Sequence, residues 1–180
     1  KRTIIRSFKW FVSSCENICL DSIYGGIMLF LEIFIWLILW MIFMAFTEYW
    51  IHRHTMHKRN GWLPSWIFYD HAIEHHHMER NDINIDLPLY FHILVGSPLI
   101  IASYFISLSC LLTLLAVFMY HSYVWTKLHR GIHDLENNWL MKTSYFKRAK
   151  RHHELHHERP GKNFGVVFLW TDSLFRTKLK

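Results

Sequence analysis

An all-α fold that crosses a membrane and carries a histidine-rich helical cap is the architecture this sequence predicts. Three features predict it: where charges are missing, how long the uncharged stretches run, and where the histidines stand. Of 180 residues, 52% are hydrophobic and 17% aromatic, and only 19% are charged, against about a quarter in a typical soluble domain. That composition excludes disorder, a collagen-like fibre and a nucleic-acid-binding tail. Cys15, Cys19 and Cys110 are too few, and odd in number, for a disulfide scaffold, and read as reduced thiols in apolar surroundings. The formal charge of +6 fits an anionic partner or a membrane face.

All 20 Lys and Arg fall in residues 1–22, 47–86 and 126–180. The first gap, 23–46, holds one acid, Glu32. As a helix it is about 36 Å long, enough for a hydrocarbon core of roughly 30 Å. A signal peptide is excluded because the stretch is too long, starts late and lacks a small-residue cleavage site. The second gap, Leu87 to Trp125, is too long for one span. It predicts two arms, about 87–104 and 107–125, turning within Ser103 to Ser109. Gly96-Ser97-Pro98 is the stronger breaker but leaves the first arm too short to cross, so Gly96 and Pro98 are expected to kink that arm.

A hairpin brings 47–86 and 126–180 to one side. Those blocks hold 16 of the 20 basic residues, so the positive-inside rule makes that side, with its histidines, cytoplasmic. Lys1, Arg2, Arg6 and Lys9 conflict with a single preceding span. Either 10–46 forms two arms, or a further span precedes a chain that begins with Lys. The three spans and the cap (47–86 and 126–180) make a single domain over 1–180. Trp36 and Trp40 are expected in lipid or core, and Tyr49, Trp50, Trp62, Trp66, Tyr123 and Trp125 in an interfacial belt. The segment from Trp62 to Tyr69 reads as a membrane-surface helix, with Pro64 near its start.

Thirteen of the 15 histidines lie in the cap blocks, in four groups. His52, His54 and His57 follow the first span. His71, His75, His76 and His77 form the second group, with His71 and His75 at i, i+4 on one helix face. His129 and His133 repeat that spacing. His152, His153, His156 and His157 form the fourth, with three imidazoles expected on one face. Imidazole is the commonest neutral metal ligand, and about ten of them exceed what one ion takes, which implies two metals. An all-imidazole set suits iron better than calcium or magnesium. The neighbouring acids Glu48, Asp70, Glu74, Asp134 and Glu154 are expected to accept the free ring N–H groups. His54, His77 and His152 read as flanking or supporting residues, with His77 a substitute ligand. Glu32 is expected to pair, snorkel or face a neighbouring helix, and His92 to be packed. His121, two turns before His129, is left outside the ligand set.

His52-x4-His57, His71-x3-His75-His76, His129-x3-His133 and His153-x2-His156-His157 resemble the histidine boxes of the fatty acid hydroxylase superfamily. These are integral-membrane di-iron oxygenases that include sterol desaturases, and carotenoid hydroxylases carry a similar set. The resemblance covers roughly residues 45 to 177. It extends to Glu48-Tyr49-Trp50-Ile51-His52-Arg53, to Asn163-Phe164-Gly165, and to an ending from Asp172 to Thr177 that resembles Trp-Asp-x-Leu-Phe-Gly-Thr. Thr171 stands where Trp would and Arg176 where Gly would. The second box has three residues before its histidine pair instead of two, which leaves the choice among His75, His76 and His77 open.

The resemblance implies four spans in two hairpins, where this chain shows three arms. It implies two iron ions, with zinc possible as a substitute, held by His52, His57, His71, His75, His76, His129, His133, His153, His156 and His157. No catalytic side chain beyond these ligands is implied. It also implies O2 as co-substrate and attack on an unactivated C–H of a membrane lipid, first of all a fatty acyl chain, giving an alcohol or an alkene. Sterol and carotenoid substrates stay open. No flavin, haem or dinucleotide motif is visible, so electrons come from a separate donor, for which the basic run Lys147 to Arg151 is a candidate face.

Two rival readings carry different chemistry. His153-Glu154-x-x-His157 is also the H-E-x-x-H zinc protease signature, with Glu154 as the base. It accounts for one metal and leaves seven histidines unexplained. Metal transport wants ligands along the spans, where only Glu32 and His92 stand.

Overall fold

The structure, a computed structural model, describes residues 2–59, 64–83 and 86–179, with side chains from residue 24 onward. Trp62, Cys15, Cys19 and the basic N-terminal side chains lie outside the described set. Helix α1 (Arg2–Ile51) continues into a π-helical stretch, His52–Met56. Helix α2 (Ser65–Phe68) runs into a second π-helical stretch, Tyr69–His77. Helices α3 (Leu89–Ile106) and α4 (Leu108–Ile132) form an antiparallel hairpin. A 3₁₀ turn (Trp139–Lys142), α5 (Ser144–Glu158) and α6 (Trp170–Leu174) complete the chain, with no strand among the described residues.

Three helical stretches, Tyr24–Met56, Leu89–Ile106 and Leu108–Ile132, are long and apolar enough to cross a membrane. The backbone of α1 is unbroken, so residues 10–46 do not form two arms. No proline interrupts it, and Gly25-Gly26 lowers helix propensity without removing an amide donor. The hairpin turns at Ser107, inside the expected window. This residue is extended (φ −166°, ψ 159°), and its hydroxyl accepts the Cys110 N–H to cap α4. Helix α4 overruns the expected end at residue 125 by seven residues. Lys127 and Arg130 end an apolar stretch but not a helix, so α4 projects past its apolar part and carries His129 into the cap.

Met44 of α1 packs with Leu114, Val117 and Phe118 of α4, and Leu99 and Ile100 of α3 close over them. At the far end, Glu32 accepts hydrogen bonds from Ser107 (2.6 Å) and Ser109 (2.7 Å), tying the hairpin tip to α1. Trp40 Nε1 donates to the carbonyl of buried Cys110 at 3.1 Å. A second core, Trp125, Leu128, Ile132, Leu140, Phe146, Ala149, Val166 and Val167, joins α4 to the cap. Two residues of the expected aromatic belt are therefore core: Tyr49 and Trp125 are buried, whereas Trp50, Trp66 and Tyr123 are exposed. Tyr49 is turned inward by its hydroxyl, which meets Thr177 and Arg53.

Close approach of α3 and α4 depends on Gly96. A Cβ there would lie 2.5 Å from Cζ and 2.6 Å from Cε2 of Phe118, so that buried ring must shift to admit it. Gly96→Ala is expected to destabilise the hairpin by about 1–3 kcal/mol through overpacking. Gly25→Ala, with nothing near its position, serves as the neutral control. Thermal unfolding of both variants in detergent checks this.

Candidate metal centre

The histidines reach one another through an unusual local geometry. In a π-helix the N–H of residue i+5 bonds the carbonyl of residue i. His57 N–H bonds His52 C=O at 3.2 Å, and Met78 N–H bonds Ile73 C=O at 2.8 Å. The wider turn sets side chains five apart on one side. Both stretches carry a histidine pair at that spacing, His52 with His57 and His71 with His76. Together with His156 they form one group in which the candidate ligand atoms lie within 4.8 Å of one another. His75, His133, His153 and His157 form a second such group, and His129 Nε2 stands 3.1 Å from His153 Nε2.

The ten expected residues thus converge, but not in the pairs that α-helical spacing suggests. His71 shares a group with His76, and His75 turns to the other group. His156 likewise parts from His153 and His157, because i, i+4 keeps the latter two on one face of α5 while i+3 places His156 beside it. The groups adjoin, with the His76 and His157 rings 4.1 Å apart. His77 is exposed and His54 stacks on Trp50, and both stand outside the groups.

Outward hydrogen bonds fix which nitrogen faces in. His52 Nδ1–H donates to the Phe164 carbonyl, His156 Nδ1–H to Lys162 O at 2.6 Å, and His75 Nδ1–H to Arg80 O at 3.4 Å. A neutral imidazole has one N–H, so each of these rings presents a bare Nε2 lone pair inward. The expected acceptors are carboxylates, but for these three rings backbone carbonyls take that role. Glu74 pairs instead with Arg80, Asp134 with Lys150, and Glu154 is exposed. Across the first group, Nε2 separations are 2.8 Å (His52–His71), 3.3 Å (His52–His57), 2.9 Å (His57–His156) and 3.2 Å (His71–His76). In the second, His153 Nε2 lies 3.1 Å from His133 and 3.0 Å from His157. Adjacent nitrogens on a metal with bonds of roughly 2.0–2.1 Å stand about 2.9–3.4 Å apart. The inward Nε2 atoms stand at about the separations that nitrogens take around one ion, so the donor set fits a metal in each group.

Burial keeps these rings in the ligating form. It pushes His57, His76, His153 and His156 far below the usual imidazole range, with neighbouring imidazoles adding to the effect on each. His133 is pushed down to about 3 and His157 to about 4, for the same first reason.

Two buried carboxylates hold the loop that supplies the carbonyls. Glu48 Oε1 accepts the N–H groups of Val166 (2.7 Å), Val167 (2.9 Å) and Phe168 (3.2 Å), while Oε2 accepts His121 Nε2–H at 2.7 Å. Asp172 accepts Phe164 N–H (2.9 Å), Gly165 N–H (2.7 Å), His152 Nε2–H (2.9 Å) and the Thr177 hydroxyl (2.7 Å). Burial disfavours the Asp172 charge, but these bonds outweigh it and hold the carboxyl below its ordinary value. Gly165 has no room for a side chain: a Cβ would meet Phe168 O at 2.7 Å. Arg176 sits at φ 56°, the left-handed region where glycine is at ease, which explains the glycine at that position of the resembled ending.

Sequence reasoning missed this scaffold. His121 and His92 line up behind Glu48, with His121 Nδ1 2.9 Å from His92 Nε2, and both stand within the apolar spans, outside the four histidine groups. All three line an apolar cavity of about 150 Å³ among α1, α3 and α4, together with Phe43, Ile51, Val95, Phe118 and Trp125. Trp125 closes its inner end, and its ring lies 6.0 Å from that of His52 and 5.7 Å from that of His129.

Membrane-length helices that end in buried, inward-facing imidazoles define a class of membrane protein built around a histidine-lined metal centre. The fatty acid hydroxylase family model matches residues 37–177, and the chain belongs to that family. Membership makes it a membrane oxidoreductase of the hydroxylase type. Comparison with curated proteins and with solved structures gives no match. The protease reading gains no support. His153 and His157 do meet, but exposed Glu154 is turned away from them, and His75 and His133 complete their group.

Glu48→Ala leaves three buried amides and His121 without an acceptor. It is expected to cost about 3 kcal/mol or more and to lower metal content although no imidazole is touched, as read by thermal unfolding and elemental analysis. The metal-free protein should also lose stability as pH falls below 6.5. There the unfolded chain protonates His133 and His157, whereas the folded chain takes those protons only near pH 3 and 4, so the unfolded state binds more protons across that window. Unfolding of chelator-treated protein between pH 8 and pH 5 checks the sign.

Proposed function

We propose that the protein is a di-iron membrane oxygenase that hydroxylates, or desaturates, an unactivated C–H of a lipid, with a fatty acyl chain as the substrate class. O2 is the co-substrate, and a separate donor supplies the electrons. The observation that carries this reading is the set of inward Nε2 atoms held 2.8–3.3 Å apart while the opposite ring nitrogens of His52 and His156 are tied to carbonyls. His52, His57, His71, His76 and His156 would hold one iron; His75, His129, His133, His153 and His157 would hold the other. Iron bound there supplies the redox chemistry that activates O2, which no side chain of the protein provides.

The remaining work falls to the protein. Phe164 and Lys162 carbonyls hold His52 and His156 in the ligating tautomer. A cavity of this size with a largely apolar lining accepts a hydrocarbon segment. Its walls are the membrane-length helices, which suits an acyl chain arriving from the bilayer, and Trp125 stands between it and the imidazoles. The cap faces the cytoplasm on the charge argument, since 16 of the 20 basic residues lie on its side of the spans.

Mass spectrometry of lipids from cells with and without the protein should show a species that gains one oxygen or loses two hydrogens. His153→Ala and His133→Ala should abolish that product and reduce bound metal from two ions per chain while the protein still inserts. Glu154→Gln should keep most of the activity. Full activity with unchanged metal in the histidine variants overturns the reading. A single metal per chain with activity silenced by Glu154→Gln would return the protease.

A further inference from the structure

A second recess lies on the other side of α4 from the apolar cavity. It is a groove of about 1210 Å³ between α4, α5 and the C-terminal segment. Its floor is apolar: Tyr120, Val124 and Leu128 from α4, Leu155 from α5, then Val167 and Leu169. Its rim carries Lys147, Arg148, Arg151 and Lys178, all exposed, with Trp139 and Trp170 beside them, and no carboxylate among the described residues lines it. Arg151 reaches Glu158 only at 3.9 Å, between exposed groups, and the Arg148 guanidinium lies 5.9 Å over the Tyr145 ring.

The placement of the two ends matters. Tyr120, Val124 and Leu128 belong to the cap-side half of a helix long and apolar enough to cross the bilayer, while the four cations stand on the cap. The groove therefore runs from hydrocarbon depth to a cluster of positive charge at the membrane surface. A soluble partner would meet only the rim and leave the floor empty. A zwitterionic lipid would fill the floor but bring its own cation to a site that already holds four.

We propose that this groove binds one anionic phospholipid, its chains on the α4 floor and its phosphate among Lys147, Arg148, Arg151 and Lys178. Exposed basic side chains at a membrane surface, only one of them near an acid, draw anionic headgroups, and an apolar floor converts that attraction into a site. The same groove wall includes Val167 and Phe168, whose amides Glu48 holds, so an occupant would buttress the loop that orients the ligating histidines. The inference does not depend on which lipid the metal centre oxidises.

The test uses the purified full chain in detergent, mixed with equal amounts of dioleoyl phosphatidylglycerol and dioleoyl phosphatidylcholine, with bound lipid read by native mass spectrometry. Wild type should retain one phosphatidylglycerol, preferred by about tenfold or more. K147Q/R148Q/R151Q should lose most of that preference, and Val124→Trp, which fills the floor and keeps every cation, should lose the bound lipid. Unchanged metal content in both variants shows that they fold. Equal binding of the two lipids by wild type, or a preference that survives both variants, overturns the proposal. So does capture of an acidic soluble protein by wild type, lost in the triple variant, with no lipid preference. Hydroxylated product formed while phosphatidylglycerol binding fails would overturn this site and leave the oxygenase reading standing.

Discussion

Ten imidazoles share a small volume here because burial keeps them neutral, and their inward nitrogens stand at the spacing that a shared cation would need. Everything else in the cap follows from meeting that electrostatic condition. Charge is excluded by burial, which makes protonation of His57, His76, His153 and His156 costly. Direction is imposed from outside, where the Phe164 and Lys162 carbonyls take the Nδ1 protons of His52 and His156. Without those outward bonds the rings could swap tautomers and hydrogen-bond to one another, and the lone pairs would no longer converge.

The carbonyls are only as fixed as the loop that carries them, and the loop hangs on two acids from opposite ends of the chain. Glu48 comes from the last turn of α1 before His52, and Asp172 from α6. Each gathers backbone amides that no helix satisfies. Buried carboxylates are expensive unless fully bonded, and here each is bonded at both oxygens. That expense is tolerable because one acid serves several purposes: Glu48 ties α1 to the loop and, through His121, to α4, with His92 of α3 next in line. The spans and the metal centre are therefore mechanically one object, and the apolar cavity lies where they join.

The same coupling explains why α4 is the longest-serving element. Its lower half packs α1 and α3, its upper half forms the cap core through Trp125, Leu128 and Ile132, and it ends on the imidazoles at His129. One face lines the cavity beneath the histidines, and another floors the basic groove. A helix that ended where its apolar run ends, near residue 125, could do none of the cap's work.

Much of this was legible before any coordinates. Gaps in Lys and Arg marked the three membrane-length helices because unpaired charge is costly in hydrocarbon, and four histidine groups marked the candidate ligands because so many imidazoles in one cap exceed what packing needs. The partition of the ligands was not legible. His71 pairs with His76 and not with His75 because the backbone there is π-helical, a choice made by tertiary demand, although His-x4-His occurring twice was a trace of it. Tyr49 and Trp125 look interfacial by position and are core, since each ring packs against a residue distant in sequence, Phe164 for Tyr49 and His52 for Trp125. Local chemistry, written in residue type and spacing, determined which atoms could bind a metal and which segments could enter a membrane. Only the folded chain decided which lone pairs meet, because that depends on carbonyls and carboxylates brought together from distant segments, and pairings of that kind leave no periodic mark in a single sequence.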